Sequence, residues 1–227
     1  MSFAAGLDLG RERLRDPSTA VACAVALAFD LGIALLERAQ GAIGAADRAL
    51  AGGAFGVALP LLCYLLVARA CGGSSLREGL LPLARHGLDR RALTLGLLIP
   101  PAVLAAGFGG LSGLLVVLVT RGPSDPKLLS DAGTCLWIGI VSGAVYVAAL
   151  LGASAWGRRG QGRVWLLAAD FVLGAGDSFL AFPWPKGHIR NLLGGSAVLE
   201  LSQLAATLAL LGTSFAFLCW GTLRTPR

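Results

Sequence analysis

Long apolar runs, separated by short charged gaps, are the feature that most constrains this chain. A helix needs about 20 predominantly apolar residues to cross the hydrocarbon layer of a bilayer, and each run is near or above that length. The sequence therefore predicts an all-α membrane protein with six transmembrane helices. The predicted spans are approximately Thr19–Leu36, Ala51–Arg69, Ala92–Thr120, Cys135–Trp156, Val164–Phe182 and Ala197–Leu223.

The basic residues sort to alternate gaps between these runs. One side of the membrane collects 13 of the 19 Lys and Arg residues, and the other receives the remaining six. The larger group is Arg11, Arg13, Arg15, Arg69, Arg77, Arg85, Arg90, Arg91, Arg158, Arg159, Arg163, Arg224 and Arg227. Because basic excess marks the cytoplasmic face, both termini are expected to be cytoplasmic.

Composition excludes most soluble classes. The apolar fraction is 56% and the charged fraction 14%, far from the usual mixture of a soluble domain. The net charge of +6 is then explained by the basic bias of one face, with attraction to anionic lipid as a by-product. No nucleic-acid partner is implied. All five Trp lie near the ends of predicted spans, where an indole ring is most stable.

The chain divides into two parts on this reading. Residues 1–16 form a cytoplasmic amphipathic N-terminal segment, with Phe3, Leu7 and Leu14 on one helical face. Residues 17–227 form the six-helix transmembrane domain. A cleaved signal peptide is the alternative for the first run, but Asp30 interrupts that run and its length reaches that of a span.

The most informative gap is the cytoplasmic one between the second and third spans. Over Gly72–Arg91, leucines at Leu76, Leu80 and Leu83 recur at helical spacing, with charged residues between them. This pattern predicts a short helix lying on the cytoplasmic surface. A solvated loop with no partner is the alternative.

The same gap resembles the permease subunits of type-2 ABC exporters. In that family a Glu-x-Gly-x-Leu stretch, a leucine and a turn containing arginine lead into the third span; here Glu78–Leu81, Leu83 and His86–Arg91 precede Gly96. The turn lacks the family's Pro-Ser, and no Lys follows Gly96. The last outer turn is also similar, since it is rich in proline and contains a histidine, over Phe182–Leu193.

This resemblance implies a six-helix exporter subunit in a bacterial inner membrane. It would pair with a second copy or a related permease, and a separate ATPase would dock on its cytoplasmic loops. The segment Glu78–Arg91 would be the coupling helix, with docking residues Glu78, Gly79, Arg85, Asp89, Arg90 and Arg91. The chain has no G-x-x-x-x-G-K-[ST] phosphate loop, so ATP and magnesium would bind to the partner and this subunit would not itself be an enzyme.

Three acids lie within predicted spans. Asp170 and Asp177 are seven residues apart, nearly on one face of the predicted fifth helix, and Asp30 lies in the first. A carboxylate at the centre of a span costs about 2.5–3.5 kcal/mol on insertion scales, and such residues normally face the bundle interior or water. A translocation path and structural hydrogen bonding are both open for them.

Two rivals to transport remain. Gly109–Gly113 resembles the Gly-x-Ser-Gly of a rhomboid-type serine protease, which would make Ser112 the nucleophile of an intramembrane hydrolase and His188 its base. His188 is expected in an outer turn, and the usual His and Asn of that family's second span are absent. A non-transport membrane scaffold is the other rival. With only His86 and His188, both expected in loops, no catalytic metal is predicted.

Overall fold

The computed structural model describes residues 1–41, 44–122 and 125–224, and within them every regular element is a helix. Short turns connect most of these helices, so successive spans pack side by side. Arg227, counted above among the basic residues of one face, lies outside the described residues. The α-helices are α1 (Ser2–Leu14), α2 (Pro17–Ala39), α3 (Ala45–Arg48), α4 (Leu59–Ala70), α5 (Leu76–Ala84), α6 (Arg90–Arg121), α7 (Leu128–Ala153), α8 (Gly162–Leu173), α9 (Pro185–Leu192) and α10 (Gln203–Leu223).

Five helical segments of the described chain are long and apolar enough to cross a membrane. The spans are Pro17–Ala39, Ala45–Ala70, Arg90–Arg121, Leu128–Ala153 and Gln203–Leu223. Each overlaps one of the predicted runs. The prediction of an all-helical, multi-pass membrane protein is therefore confirmed.

The predicted fifth span, Val164–Phe182, is not one continuous helix. Helix α8 ends at Leu173 after 12 residues, a rise of about 18 Å against a hydrocarbon thickness of about 30 Å. Gly174, Gly176 and Asp177 follow at once, and glycine and aspartate are weak helix formers. The chain then turns and forms the short helix α9 before the last span begins.

The second span is one long helix with an unusual middle. Between α3 and α4 the segment Ala49–Ala58 is π-helical, a form usually limited to single turns near functional sites. Its small residues permit this: a Cβ on Gly56 would lie 2.1 Å from the carbonyl oxygen of Ala51 in its own helix. Gly53 faces α2, where a Cβ would lie 2.8 Å from Ile33.

Helices α6 and α7 share the most extensive contact in the described structure. A Cβ on Gly109 would lie 2.3 Å from the carbonyl oxygen of Gly139, and one on Gly143 would lie 2.3 Å from that of Ala105. Gly113 faces Cys135 in the same way. The small residues four apart therefore act as the packing face expected of such spacing in membranes.

The two ends of the bundle carry different elements. One end, here called the α5 end, holds α5 and the last residues of α4 and α7; Gly152 on α7 also contacts Gly221 near the end of α10. At the opposite end, Arg38 of α2 donates a hydrogen bond to the carbonyl oxygen of Val119 on α6. The long helices therefore run from the α5 end of the bundle to the opposite end.

The N-terminal segment packs on the bundle rather than lying free of it. Its contact face is made of Gly6, Gly10 and Leu14, while Phe3 is about half exposed. A Cβ on Gly6 would lie 2.3 Å from the carbonyl oxygen of Leu93, so glycine allows α1 to meet the first turns of α6 backbone to backbone. Of the predicted apolar face, Leu14 packs on the bundle, whereas Phe3 does not belong to the contact face.

Candidate functional site

The first half of the predicted coupling segment folds as α5. Ser75 and Glu78 form a capping box: the Ser75 hydroxyl accepts from the Glu78 N–H at 3.3 Å, and the Glu78 carboxylate accepts from the Ser75 N–H at 3.1 Å. The Ser75 N–H and the Ser75 hydroxyl both donate to the Glu78 carboxylate, which favours its charged form and lowers the pKa of Glu78 below its ordinary value. The start of α5 is thereby fixed.

Helix α5 has one buried and one exposed face. Leu76 and Leu80 are fully buried, whereas Arg77 and Glu78 are exposed. Gly79 faces the end of α4, where a Cβ would lie 2.5 Å from the carbonyl oxygen of Cys71. The helix is therefore seated on the bundle with its charged face outward.

Three other helices hold α5 in place. The Arg13 guanidinium of α1 donates to the carbonyl oxygens of Ala70 at 2.6 Å and Gly79 at 3.0 Å, which bridges the end of α4 to α5. The Leu76 N–H donates to the carbonyl oxygen of Ser154, immediately after α7, at 3.0 Å. A force on α5 would consequently reach α1, α4 and α7 together.

The second half of the predicted segment lies outside α5, so Glu78–Arg91 is not one helix. Arg85 ends α5, and Asp89 is the N-cap of α6, accepting from the N–H groups of Arg91 and Ala92. Arg90 and Arg91 belong to the first turn of α6. Proposed docking residues thus occupy two helices joined by a short turn, because Asp89 starts a new helix.

Asp30 is buried in the middle of the first span. It is 1% exposed, and the Ser112 hydroxyl of α6 donates to its Oδ2 atom at 2.5 Å. The Oδ1 atom has no hydrogen-bond partner among the described residues. The pair ties α2 to α6 through a polar contact within the apolar layer.

Asp170 is fully buried and joins three helices. Its Oδ2 atom accepts from the Tyr146 hydroxyl of α7 at 2.8 Å, and its Oδ1 atom accepts from the Lys186 N–H at the start of α9 at 2.9 Å. An acid at a helix N-terminus satisfies a backbone donor that the helix leaves unpaired. Asp170 therefore holds α9 against α8 and α7.

Asp177 is separated from Asp170 in the structure. It lies in the turn after α8, where its carboxylate accepts from Arg190 of α9 and, at 2.8 Å, from Ser196. The prediction that both acids share one face of a fifth helix is wrong, because the helix ends between them. The two carboxylates instead tie α9 to two different neighbours.

The Ser112–His188 dyad is not formed. His188 lies on α9 rather than in a loop, is fully buried, and its Nε2 atom donates to the carbonyl oxygen of Phe182 at 2.7 Å. Ser112 donates to Asp30. Since each side chain is committed to another partner, the arrangement of a serine nucleophile and its base is missing.

A polar cavity of about 230 Å³ opens at the end opposite α5. Arg121 lies at its rim, with salt bridges to Asp131 at 2.7 Å and Asp125 at 3.1 Å. Leu192 at the end of α9 forms part of the wall. The α9 segment therefore connects the Asp170 contact, within the bundle, to an opening at the far end.

Sequence reasoning missed the residues that make these connections. Tyr146 supplies the hydroxyl that meets Asp170, and its isolated polar tip within an apolar run was the available signal. Arg13 was counted only as a surface charge, although it bridges two helices.

Comparisons with known protein families, curated proteins and solved structures found no match.

Proposed function

We propose that this chain is the membrane-spanning subunit of a type-2 ABC exporter, driven by a separate ATPase that docks on α5. The observation that carries the proposal is the seating of α5 between the second and third long spans. It is short, capped at its first turn, buried along Leu76 and Leu80, and charged on its free face. A soluble partner that docks on such a helix could move it relative to the membrane.

The hydrogen bonds around α5 support a mechanical role. Arg13 binds both the last residue of α4 and the middle of α5, which couples the two helices through one side chain. The contact of Leu76 with Ser154 extends that coupling to the end of α7. Displacement of α5 would then be passed to the spans without an intervening flexible loop.

The proposal includes a sixth crossing made in two pieces. Helix α8 leaves the α5 end, and α9 continues toward the cavity at the opposite end after an intervening turn. Non-helical backbone at membrane depth is tolerated where protein buries it or water reaches it, and broken helices of this kind often line transport paths. With this crossing, both termini would lie on the cytoplasmic side, as the basic residues indicate.

The acids Asp30, Asp170 and Asp177 have structural partners in this state. A role in the path would require those hydrogen bonds to exchange during the transport cycle. The substrate class stays open, since a small polar opening and apolar walls suit lipid, drug, peptide or glycan export alike. Dimerisation with a second copy or a related permease is part of the proposal.

The test is gentle purification from native membranes followed by identification of co-purifying proteins. We expect a stoichiometric ATPase with the wild-type chain and its loss from the variant Arg77→Glu/Arg85→Glu, which reverses two exposed charges at α5. The control variant, Arg158→Glu/Arg224→Glu, reverses two exposed charges elsewhere at the same end and should keep the ATPase.

Two outcomes would contradict the proposal. One is a wild-type preparation that contains no ATPase. The other is an ATPase retained equally by the α5 variant and the control, which would place docking elsewhere. Circular dichroism of each purified variant separates lost docking from lost folding.

A further inference from the structure

A groove of about 370 Å³ runs between α1 and α6 on the outside of the bundle. Its walls are apolar, formed by Leu7 on α1 and by Ile99, Val103 and Leu104 on α6. Val103 is 65% exposed, so the groove is open to the surroundings of the bundle. Its volume falls within the range of about 300–1,000 Å³ that small-molecule sites occupy.

Arg11 on α1 and Arg15, immediately after it, complete the rim of this groove. Arg11 and Arg15 are one helical turn apart, and both line it. Both are exposed, and neither guanidinium has a hydrogen bond or salt bridge to another residue in the part of the chain that the structure describes. Arg13, between them, points instead to Ala70 and Gly79.

The register of α6 and α7 fixes the depth of the groove. Ala105 lies opposite Gly143 in this antiparallel pair, so counting back places Leu97 level with Leu151 near the end of α7. The first turns of α6 therefore project beyond α7, and there Gly6 of α1 packs on them. Gly10 of α1 faces Leu97 and Pro100, so α1 advances in the same direction as α6, and Arg11 and Arg15 reach the groove beside Ile99 and Pro100. Val103 and Leu104 lie one turn further along α6, away from the α5 end.

We propose that this groove binds one phospholipid with an anionic headgroup. Its phosphate would be bound by Arg11 and Arg15, and an acyl chain would lie along Ile99, Val103 and Leu104. Guanidinium groups match phosphate oxygens in planar, two-point contacts, and chain methylene groups match the apolar wall. The ligand is drawn from the surrounding bilayer, and the inference does not depend on an ATPase partner.

The distribution of charge argues for a lipid over a protein segment. An apolar helix from another chain would cover Val103 and Leu104 but would leave two cationic groups without an anion at the same mouth. An anionic lipid supplies both an apolar chain for the wall and an anion for the two arginines in one molecule. Attraction to such lipid increases with each basic residue near the surface.

The experiment titrates the delipidated, detergent-solubilised chain with dioleoylphosphatidylglycerol and counts bound lipid by native mass spectrometry. Dioleoylphosphatidylcholine serves as the lipid of zero net charge for comparison. We expect one tightly bound phosphatidylglycerol per chain, and binding roughly 30-fold weaker in Arg11→Gln/Arg15→Gln, which removes two charges. The variant Arg158→Gln/Arg224→Gln, with the same loss of charge elsewhere at the α5 end, should bind as the wild type does.

A second pair of variants tests the apolar part without changing charge. Val103→Trp fills the groove and should abolish the tight site. Val172→Trp places the same ring at an exposed position of α8, 75% exposed and outside the groove, and should leave binding unchanged. Equal loss in both charge variants, or tight binding kept in both Arg11→Gln/Arg15→Gln and Val103→Trp, would overturn the proposal.

Discussion

The α6–α7 pair and the α8–α9 segment lie side by side in one bundle but are held by different forces. The pair consists of long helices whose glycines bring two backbones into contact, at Gly109, Gly139 and Gly143. The segment consists of short helices joined by a turn and held by side-chain hydrogen bonds at Asp170 and Asp177. Close packing suits a fixed scaffold, whereas a few polar contacts suit a part whose arrangement can change.

The largest expected effect comes from separating the rigid pair. A side chain at Gly139 would place Cβ 2.1 Å from the carbonyl oxygen of Gly109, so Gly139→Leu forces the two backbones apart. Overpacking of this kind costs about 1–3 kcal/mol and more where backbone must move, and we expect the upper end here. Thermal unfolding of the purified protein, followed by circular dichroism, measures the loss.

The matched control uses a glycine on the same helix. A Cβ on Gly133 would meet nothing within 4 Å, so Gly133→Leu should leave the melting temperature nearly unchanged. Equal destabilisation by both changes would show that the loss of glycine itself, and not the close approach of the two backbones, sets the effect.

An intermediate effect is expected in the polar segment. Asp170→Ala leaves the Tyr146 hydroxyl and the Lys186 N–H without acceptors, and each unsatisfied buried group costs about 1–3 kcal/mol. The change also removes the cost of burying a carboxylate, so we expect a net loss smaller than that of Gly139→Leu. Tyr146→Phe removes only one donor and should cost less. Hydrogen exchange should rise in Pro185–Leu192 in both variants and stay unchanged in the α6–α7 pair.

The outcome of that measurement decides whether the two regions are independent. Exchange that rises equally in α6, α7 and α9 would mean that Asp170 stabilises the whole bundle. Exchange confined to α9 and its flanking turns would identify the segment as a separate unit of local opening.

The smallest expected effect is a pH dependence in the first turn of α5, where the capping box forms. Because Ser75 lowers the pKa of Glu78 in the folded state, the capping box contributes its full stability above the ordinary value of 4.5. That contribution is lost as the pH falls from this value through the lowered one. Amide exchange in the first turn of α5 should therefore increase over that acidic window.

Glu78→Gln provides the control for this measurement. The amide side chain can still reach the Ser75 N–H but does not titrate, so exchange in the variant should be independent of pH across the same window once intrinsic rates are subtracted. A wild-type profile equally flat would contradict the role given to the carboxylate.

Hydropathy and spacing predicted the rigid part of this molecule well. Apolar runs predicted five of the spans, and small residues four apart predicted close packing at Gly109 and Gly139. They could not give the register, because the fit of Gly139 on Gly109 depends on atoms from two distant stretches of chain. The apolar run that holds α8 predicts a full span, because average hydropathy is insensitive to single helix-weakening residues such as Gly174 and Gly176.

The candidate site was predicted less completely. The position of α5 and the two buried acids, Asp30 and Asp170, were predictable, since charge within or between apolar runs is visible without coordinates. It did not reveal that Asp89 begins a new helix, nor that Tyr146 and the Lys186 N–H are the partners of Asp170. Such contacts join residues 16 and 24 positions apart, and no local pattern encodes them.

The shortness of α8 has a consequence for biosynthesis. A helix of 12 residues is too short to hold a transmembrane position unaided, and it carries an acid that is costly in lipid until it is paired. Its partners arrive at different times: Tyr146 is synthesised before Asp170, whereas Lys186 follows it. On the proposed two-piece crossing, a ribosome stalled between α8 and α9 would therefore expose a half-satisfied carboxylate to the bilayer, and the last quarter of the chain is expected to enter the membrane as one cooperative unit.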